Sequence, residues 1–170
     1  MAEAEAEYRA ALQLNQQYVP AAINFADFYA QQGQEAKGEA VLRKAIETSP
    51  RDGSLRHALG LALVRTKRPD EAIDQLRLAA ELQPESARYG YVYGVALYSS
   101  GKNAEAIRQL EETAGRHPGD RETLTALAIY NRERGNLVSA LNYAEQLAKA
   151  FPQDPTAAQI LRELRMDAPH

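Results

Sequence analysis

The sequence predicts an all-α protein, an α-solenoid of stacked antiparallel helix pairs repeating every 34 residues. Three observations carry that expectation. Pro50, Pro84, Pro118 and Pro152 stand 34 residues apart. Small residues recur at the same interval, at Ala26, Gly60, Gly94 and Ala128 and again at Gly38, Ala72, Ala106 and Ala140, where two helix axes must approach closely. Alanine supplies 31 of the 170 residues against eight prolines and ten glycines, a balance that favours helix.

The elements follow in order. Residues 1–16 read as a half-repeat, with a helix over 3–14 in register with the second helix of a unit: Ala4 and Ala11 take the small columns and Tyr8 the large one. On this reading the chain starts inside a repeat. Four units follow, 17–50, 51–84, 85–118 and 119–152, with helix pairs near 20–32 and 35–48, 53–66 and 69–82, 87–100 and 103–116, 121–134 and 137–150. Phe25, Leu59, Tyr93 and Leu127, with Leu42, Leu76 and Leu110, supply the large apolar residues beside the small columns. A third column runs Ala45, Ala79, Thr113, Leu147 and widens toward the C-terminus.

Gly33, Gly101 and Gly135 can end first helices in the left-handed conformation, and Lys67 is the exception, followed by Pro69 in the first turn of the next helix. Residues 153–170 read as a capping helix and tail. Asp154 caps it, Pro155 opens it, and Ala158, Leu161 and Leu164 form its apolar stripe while Arg162, Glu163 and Arg165 face outward. The whole is expected to form one solenoid domain.

Composition excludes several classes of function. With 45% hydrophobic and 25% charged residues the chain has a soluble globular composition, and no apolar run reaches the roughly 20 residues of a bilayer helix, so membrane insertion is not expected. Cysteine is absent, which removes disulfides, thiolate metal sites and cysteine nucleophiles. A net charge of −3 carries no basic excess, so nucleic acid is not the expected partner. The compartment stays open between a bacterial cytoplasm and periplasm.

The spacing Leu59-Gly60, Ala72, Leu76, Ala79, Pro84, repeated as Tyr93-Gly94, Ala106, Leu110, Pro118, resembles the tetratricopeptide repeat over about 90% of the chain. The family's tryptophan column holds Ala22, Arg56, Gly90 and Leu124 here, and its tyrosine column ends in Asn131. The resemblance implies a right-handed superhelix and a scaffold that binds a protein or peptide in a groove lined by first helices. A weaker resemblance, carried by Leu59-Gly-Leu-Ala-Leu-Val and Ala87-Arg-Tyr-Gly-Tyr-Val-Tyr, is to the repeat segments of bacterial periplasmic multihaem cytochromes; it implies haems in a region outside these residues.

Catalytic and metal sites find no support in the residue pattern. His57, His117 and His170 do not converge, no pair of histidines has metal-ligand spacing on one helix, and the glycines are scattered. Glu3, Glu5 and Glu7 read as a solvated helix face, and Arg108, Glu111, Glu112 and Arg116 as surface pairing. Neither enzyme activity nor a cofactor is expected.

From the family's geometry the inward positions would be Ile23, Asn24, Asp27 and Gln31 in the first pair and His57, Leu61, Val64 and Arg65 in the second. Arg88, Tyr91, Val95 and Tyr98 would follow in the third, and Glu122, Thr125, Ile129 and Arg132 in the fourth. Among these, Asp27, His57, Leu61, Arg65, Arg88, Tyr91, Val95, Tyr98, Ile129 and Arg132 are the candidate groove residues.

Tyr91 and Tyr98, seven residues apart and so on one face, are the candidate anchors, although aromatic residues at helical spacing also serve as packing. The carboxylate clamp of chaperone-binding members is missing, because its positions hold Ile23, Asp27, Ala58, Arg88 and Val92. A structural or assembly role, with self-association through an apolar patch at Tyr8, Leu12 and Leu14, is the alternative to the interaction scaffold.

Overall fold

The computed structural model describes residues 2–167; Met1 and the last three residues, among them His170, lie outside the described residues. Every element among the described residues is a helix: α1 (Ala2–Leu14), α2 (Val19–Gln31), α3 (Glu35–Thr48), α4 (Gly53–Arg65), α5 (Pro69–Leu82), α6 (Ala87–Ser99), α7 (Asn103–Arg116), α8 (Arg121–Glu133), α9 (Leu137–Ala150) and α10 (Pro155–Asp167). Where the sequence suggests one run of repeats, the helices gather into two compact units, Met1–Pro84 and Glu85–His170. In the first unit α2 packs on α3 and α4 on α5, and α1 lies against α2. In the second α6 packs on α7 and α8 on α9, and α10 rests on α9 and α8.

The 34-residue interval has a local cause at both kinds of turn. Each residue before the periodic proline, Ser49, Gln83, His117 and Phe151, is pushed out of helical geometry to ψ of 66–68°. Its N–H still closes one last helical bond, to the carbonyl of Ala45, Ala79, Thr113 or Leu147, so the widening column also marks where the second helices stop.

The turns inside the pairs repeat as well. Gly33, Lys67, Gly101 and Gly135 take φ of 70°, 58°, 78° and 76°. The next residue returns its N–H to the carbonyl of Tyr29, Leu63, Leu97 or Asn131, which is the Schellman closure. Lys67 thus adopts the glycine conformation itself, and Pro69 opens the next helix as expected.

Helix starts use short polar side chains. Asp52 accepts from the Ser54 and Leu55 amides at 2.9 and 3.1 Å, and Asp120 from the Thr123 amide at 2.9 Å. Asp154, as expected, caps α10 through the Thr156 amide at 2.8 Å, and it also holds Arg121 at 2.6 Å. Each cap satisfies donors that the first turn leaves unpaired.

The small columns lie at the helix crossings. A Cβ on Gly60 would stand 2.6 Å from Leu76 Cγ, and one on Gly94 2.7 Å from Leu110 Cδ2. At Gly38 the obstacle is backbone, the Ala26 carbonyl oxygen at 2.8 Å. Ala72, Ala106 and Ala140 are fully buried beside Leu59, Leu76, Leu110 and Leu127, although Tyr93 in the large column is only half-buried.

In the last repeat the tyrosine column holds a buried Asn131 whose Nδ2 donates to the Leu127 carbonyl at 2.9 Å, and the amide of Asn136 reaches its oxygen. The polar replacement is tolerated because its hydrogen bonds are made within the turn.

Two details depart from the sequence reading. Glu5 does not belong to a solvated face: it accepts the Tyr29 hydroxyl at 2.8 Å and pairs with Arg9 at 2.5 Å. The stripe of α10 is set by Ala157, Ile160, Leu161 and Leu164 instead of Ala158, because the helix must cover α9 and α8 together; Glu163 consequently turns toward α8.

Candidate functional site

Carrying the inward positions of α8 forward by 34 residues reaches α10: Thr125 maps to Gln159, Ile129 to Glu163 and Arg132 to Met166. The two helices run side by side with a groove of about 610 Å3 between them. Its apolar floor is Ala128, Ile129, Ile160 and Leu164, and Ile129 is 37% exposed although it sits at mid-helix. Thr125, Thr156 and Gln159 supply hydrogen-bonding groups along one stretch.

At the opposite end Arg132 binds Glu163 at 2.9 Å and Asp167 at 2.7 Å, forming a clasp across the two helices. Hydrogen bonds to Glu163 and Asp167 raise the Arg132 pKa, while donation from Gln159 and then from Arg132 lowers that of Glu163, so both stay charged. The groove therefore offers apolar contact, hydroxyl and amide hydrogen-bonding groups and a clasp of two ion pairs on Arg132.

The candidate residues of α6 lie next to this groove but are committed inside the unit. Tyr98 stacks on Tyr130 with ring centroids 3.6 Å apart and 4° between planes, and its hydroxyl donates to Glu133 at 2.6 Å. That hydrogen bond, with burial added, pushes the Tyr98 pKa up to about 12. Tyr91 is half-buried against Leu110, Ala126 and Leu127, and burial raises its pKa. Val95 is half-buried and Arg88 exposed. The two tyrosines wall the second unit; neither is a freestanding anchor.

In the first unit Asp27 is exposed, Leu61 half-buried, and Arg65 pairs with Glu35 at 3.1 Å. His57 corrects the sequence reading. It is 7% exposed, within α4 between the buried Leu55 and Leu59, and so lies in the core instead of on a groove. The apolar patch expected on the half-repeat is also reduced: Tyr8 stacks on Phe25 at 5.3 Å and Leu12 packs against the core, leaving Leu14, 90% exposed, beside Tyr18, 50% exposed.

The sequence does not point to Thr156, Gln159 or Ile160, and it places Glu163 facing outward instead of on the groove. The signal existed, since α10 continues the 34-residue register as a first helix. Among the described residues no cluster of three or more His, Asp or Glu could hold a metal, and no helix is long and apolar enough to cross a membrane.

A family model for the tetratricopeptide repeat matches residues 24–87, 57–120 and 91–155 in overlapping windows. No curated protein sequence matches the chain. Among solved structures, the chain is similar to MamA (20% identity, 88% of this chain and 87% of the other, TM-score 0.75). It is also similar to YrrB, described as a repeat protein of this kind with an unusual peptide-binding site (22%, 93% and 81%, TM-score 0.72). PilF of Pseudomonas aeruginosa is similar at 22% identity, over 96% of this chain and 70% of that one, with a TM-score of 0.72. None of these is a cytochrome, and nothing supports that weaker resemblance.

Proposed function

Because the chain belongs to the tetratricopeptide repeat family, we propose that it is a non-catalytic scaffold that holds a peptide segment or partner helix in the groove between α8 and α10. The observation that carries this reading is the exposed Ile129 at the floor of a 610 Å3 groove, on a helix whose Leu124 and Leu127 are fully buried. An apolar side chain of a peptide seats against Ile129 and Ile160, and its backbone meets Thr125, Thr156 and Gln159. A carboxylate or amide of the peptide can compete for Arg132 at the clasp. YrrB, with its peptide-binding site, supports the choice of ligand class by similarity of fold.

The experiment is a peptide selection from a displayed random library against the full chain, followed by titration of the selected peptide. Ile129→Lys should weaken binding by about 30-fold, the size of a hot-spot truncation of about 2 kcal/mol, with helicity unchanged. Equal binding by wild type and variant would remove the groove from the proposal, and failure to select any peptide would remove the ligand class.

A further inference from the structure

A second recess lies in the other unit and owes nothing to the α8–α10 groove. It has a volume of about 320 Å3 and opens between α1 and α3, with Phe25 of α2 at its base. Leu12, Val41 and Ala45 complete the apolar wall. Two cations reach it from facing helices, Arg9 from α1 and Lys44 from α3. No carboxylate lines it, in a chain whose net charge is −3. The remaining groups are neutral: the amides of Gln13 and Gln16, and Thr48, whose hydroxyl is occupied with the Ala45 carbonyl at 2.9 Å.

The two cations are not equivalent. Arg9 shares its guanidinium with Glu5 at 2.5 Å, whereas Lys44 makes no ion pair with another described residue. An apolar recess with an unneutralised ammonium at its edge and two side-chain amides beside it is complementary to one small anion carried on an aliphatic body and an amide backbone.

We infer that this recess binds the C-terminal residue of a partner polypeptide ending in an aliphatic side chain: the carboxylate pairs with Lys44 and Arg9, the side chain enters between Leu12, Val41 and Phe25, and the preceding peptide group meets Gln13 and Gln16. A fatty acid would satisfy the cations and the apolar wall but would leave both glutamine amides unused, which is why the peptide terminus is the better fit.

The test is a two-dimensional amide NMR titration of the full chain with acetyl-Gly-Gly-Gly-Leu carrying a free carboxylate, with the same peptide as its C-terminal amide, and with octanoate. The expected result is saturable shifts confined to α1 and α3, at least about 10-fold weaker for the amide form, abolished by Lys44→Glu and retained by Lys44→Arg. Lys44 is exposed, so both variants should stay helical, which circular dichroism checks.

Four results would overturn the inference: no shifts; equal binding of acid and amide; shifts with octanoate but not with the peptide; or shifts at α8 and α10 only, which would concern the other groove. Ile129→Lys should leave the titration unchanged, so the failure of one site is distinguishable from that of the other.

Discussion

The two units solve the same 34-residue plan with their aromatic and charged side chains on different sides. In the first, Tyr8, Phe25, Phe28 and Tyr29 form a cluster that fastens α1 onto α2, with Phe25 and Tyr29 buried. Its charges close into a ring on the second-helix side, where Glu39 and Glu71 each bind both Arg43 and Arg68 at 2.7–3.4 Å. In the second unit Tyr98 of α6 stacks on Tyr130 of α8, both first helices, and three ion pairs join α8 to the start and body of α10. The small columns are common to both and specify the fold. The variable positions decide which side carries an open groove with movable charges, and in the second unit that is the first-helix side.

The largest effects should come from the shared columns. Gly38→Leu drives a side chain into the Ala26 carbonyl, which cannot rotate away, and should cost about 3 kcal/mol in urea unfolding, near the upper end for overpacking. Gly94→Leu meets the flexible Leu110 side chain, so its cost should be smaller, about 2 kcal/mol. Equal costs at the two sites would mean that the nature of the neighbour, backbone or side chain, does not govern the packing of the two units.

The turns separate the units by a smaller amount. Lys67 holds φ of 58° where the equivalent turns of the second unit have Gly101 and Gly135. Lys67→Gly should stabilise the protein by about 1 kcal/mol and Gly101→Ala should destabilise it by a similar amount, both read from denaturation midpoints. A loss of stability in Lys67→Gly would show that the lysine side chain contributes more than its backbone costs.

The smallest effect is confined to the tyrosine wall. The Tyr98 pKa is raised in the folded state to about 12 by donation to Glu133 and then by burial. The stabilisation linked to it is fully present below the unfolded value near 10 and is lost as pH rises through about 12. Several tyrosines are raised, so ultraviolet titration of tyrosinate should compare wild type with Glu133→Gln. The component near 12 should move toward 10 in the variant, and an unchanged titration would mean that Tyr98 is not its source.

The fold was legible because its determinants are local. Prolines that end second helices, residues that tolerate positive φ and small residues at crossings all recur in the sequence itself, and they place the helix ends to within a residue of the observed bounds. The site was legible only in part. Ile129 and Arg132 are on the groove, but their partners Ile160 and Glu163 come from α10, whose apolar stripe is turned by its double packing on α8 and α9. His57 was misplaced because a position index says which way a residue points and not how closely the neighbouring helix covers it. The hydroxyl pairing of Tyr98 with Glu133, 35 residues on, needs the stacked helices to exist before it can be seen.

The central claim is that the second unit, on its first-helix side, is where a peptide is held. Amide hydrogen–deuterium exchange on the full chain, with and without a saturating peptide from the library selection, tests it most directly. The account predicts added protection in α8 and α10, centred on Ile129 and Ile160, with α2 and α4 unchanged. Protection concentrated in α2 and α4, or none in α8 and α10, would contradict it.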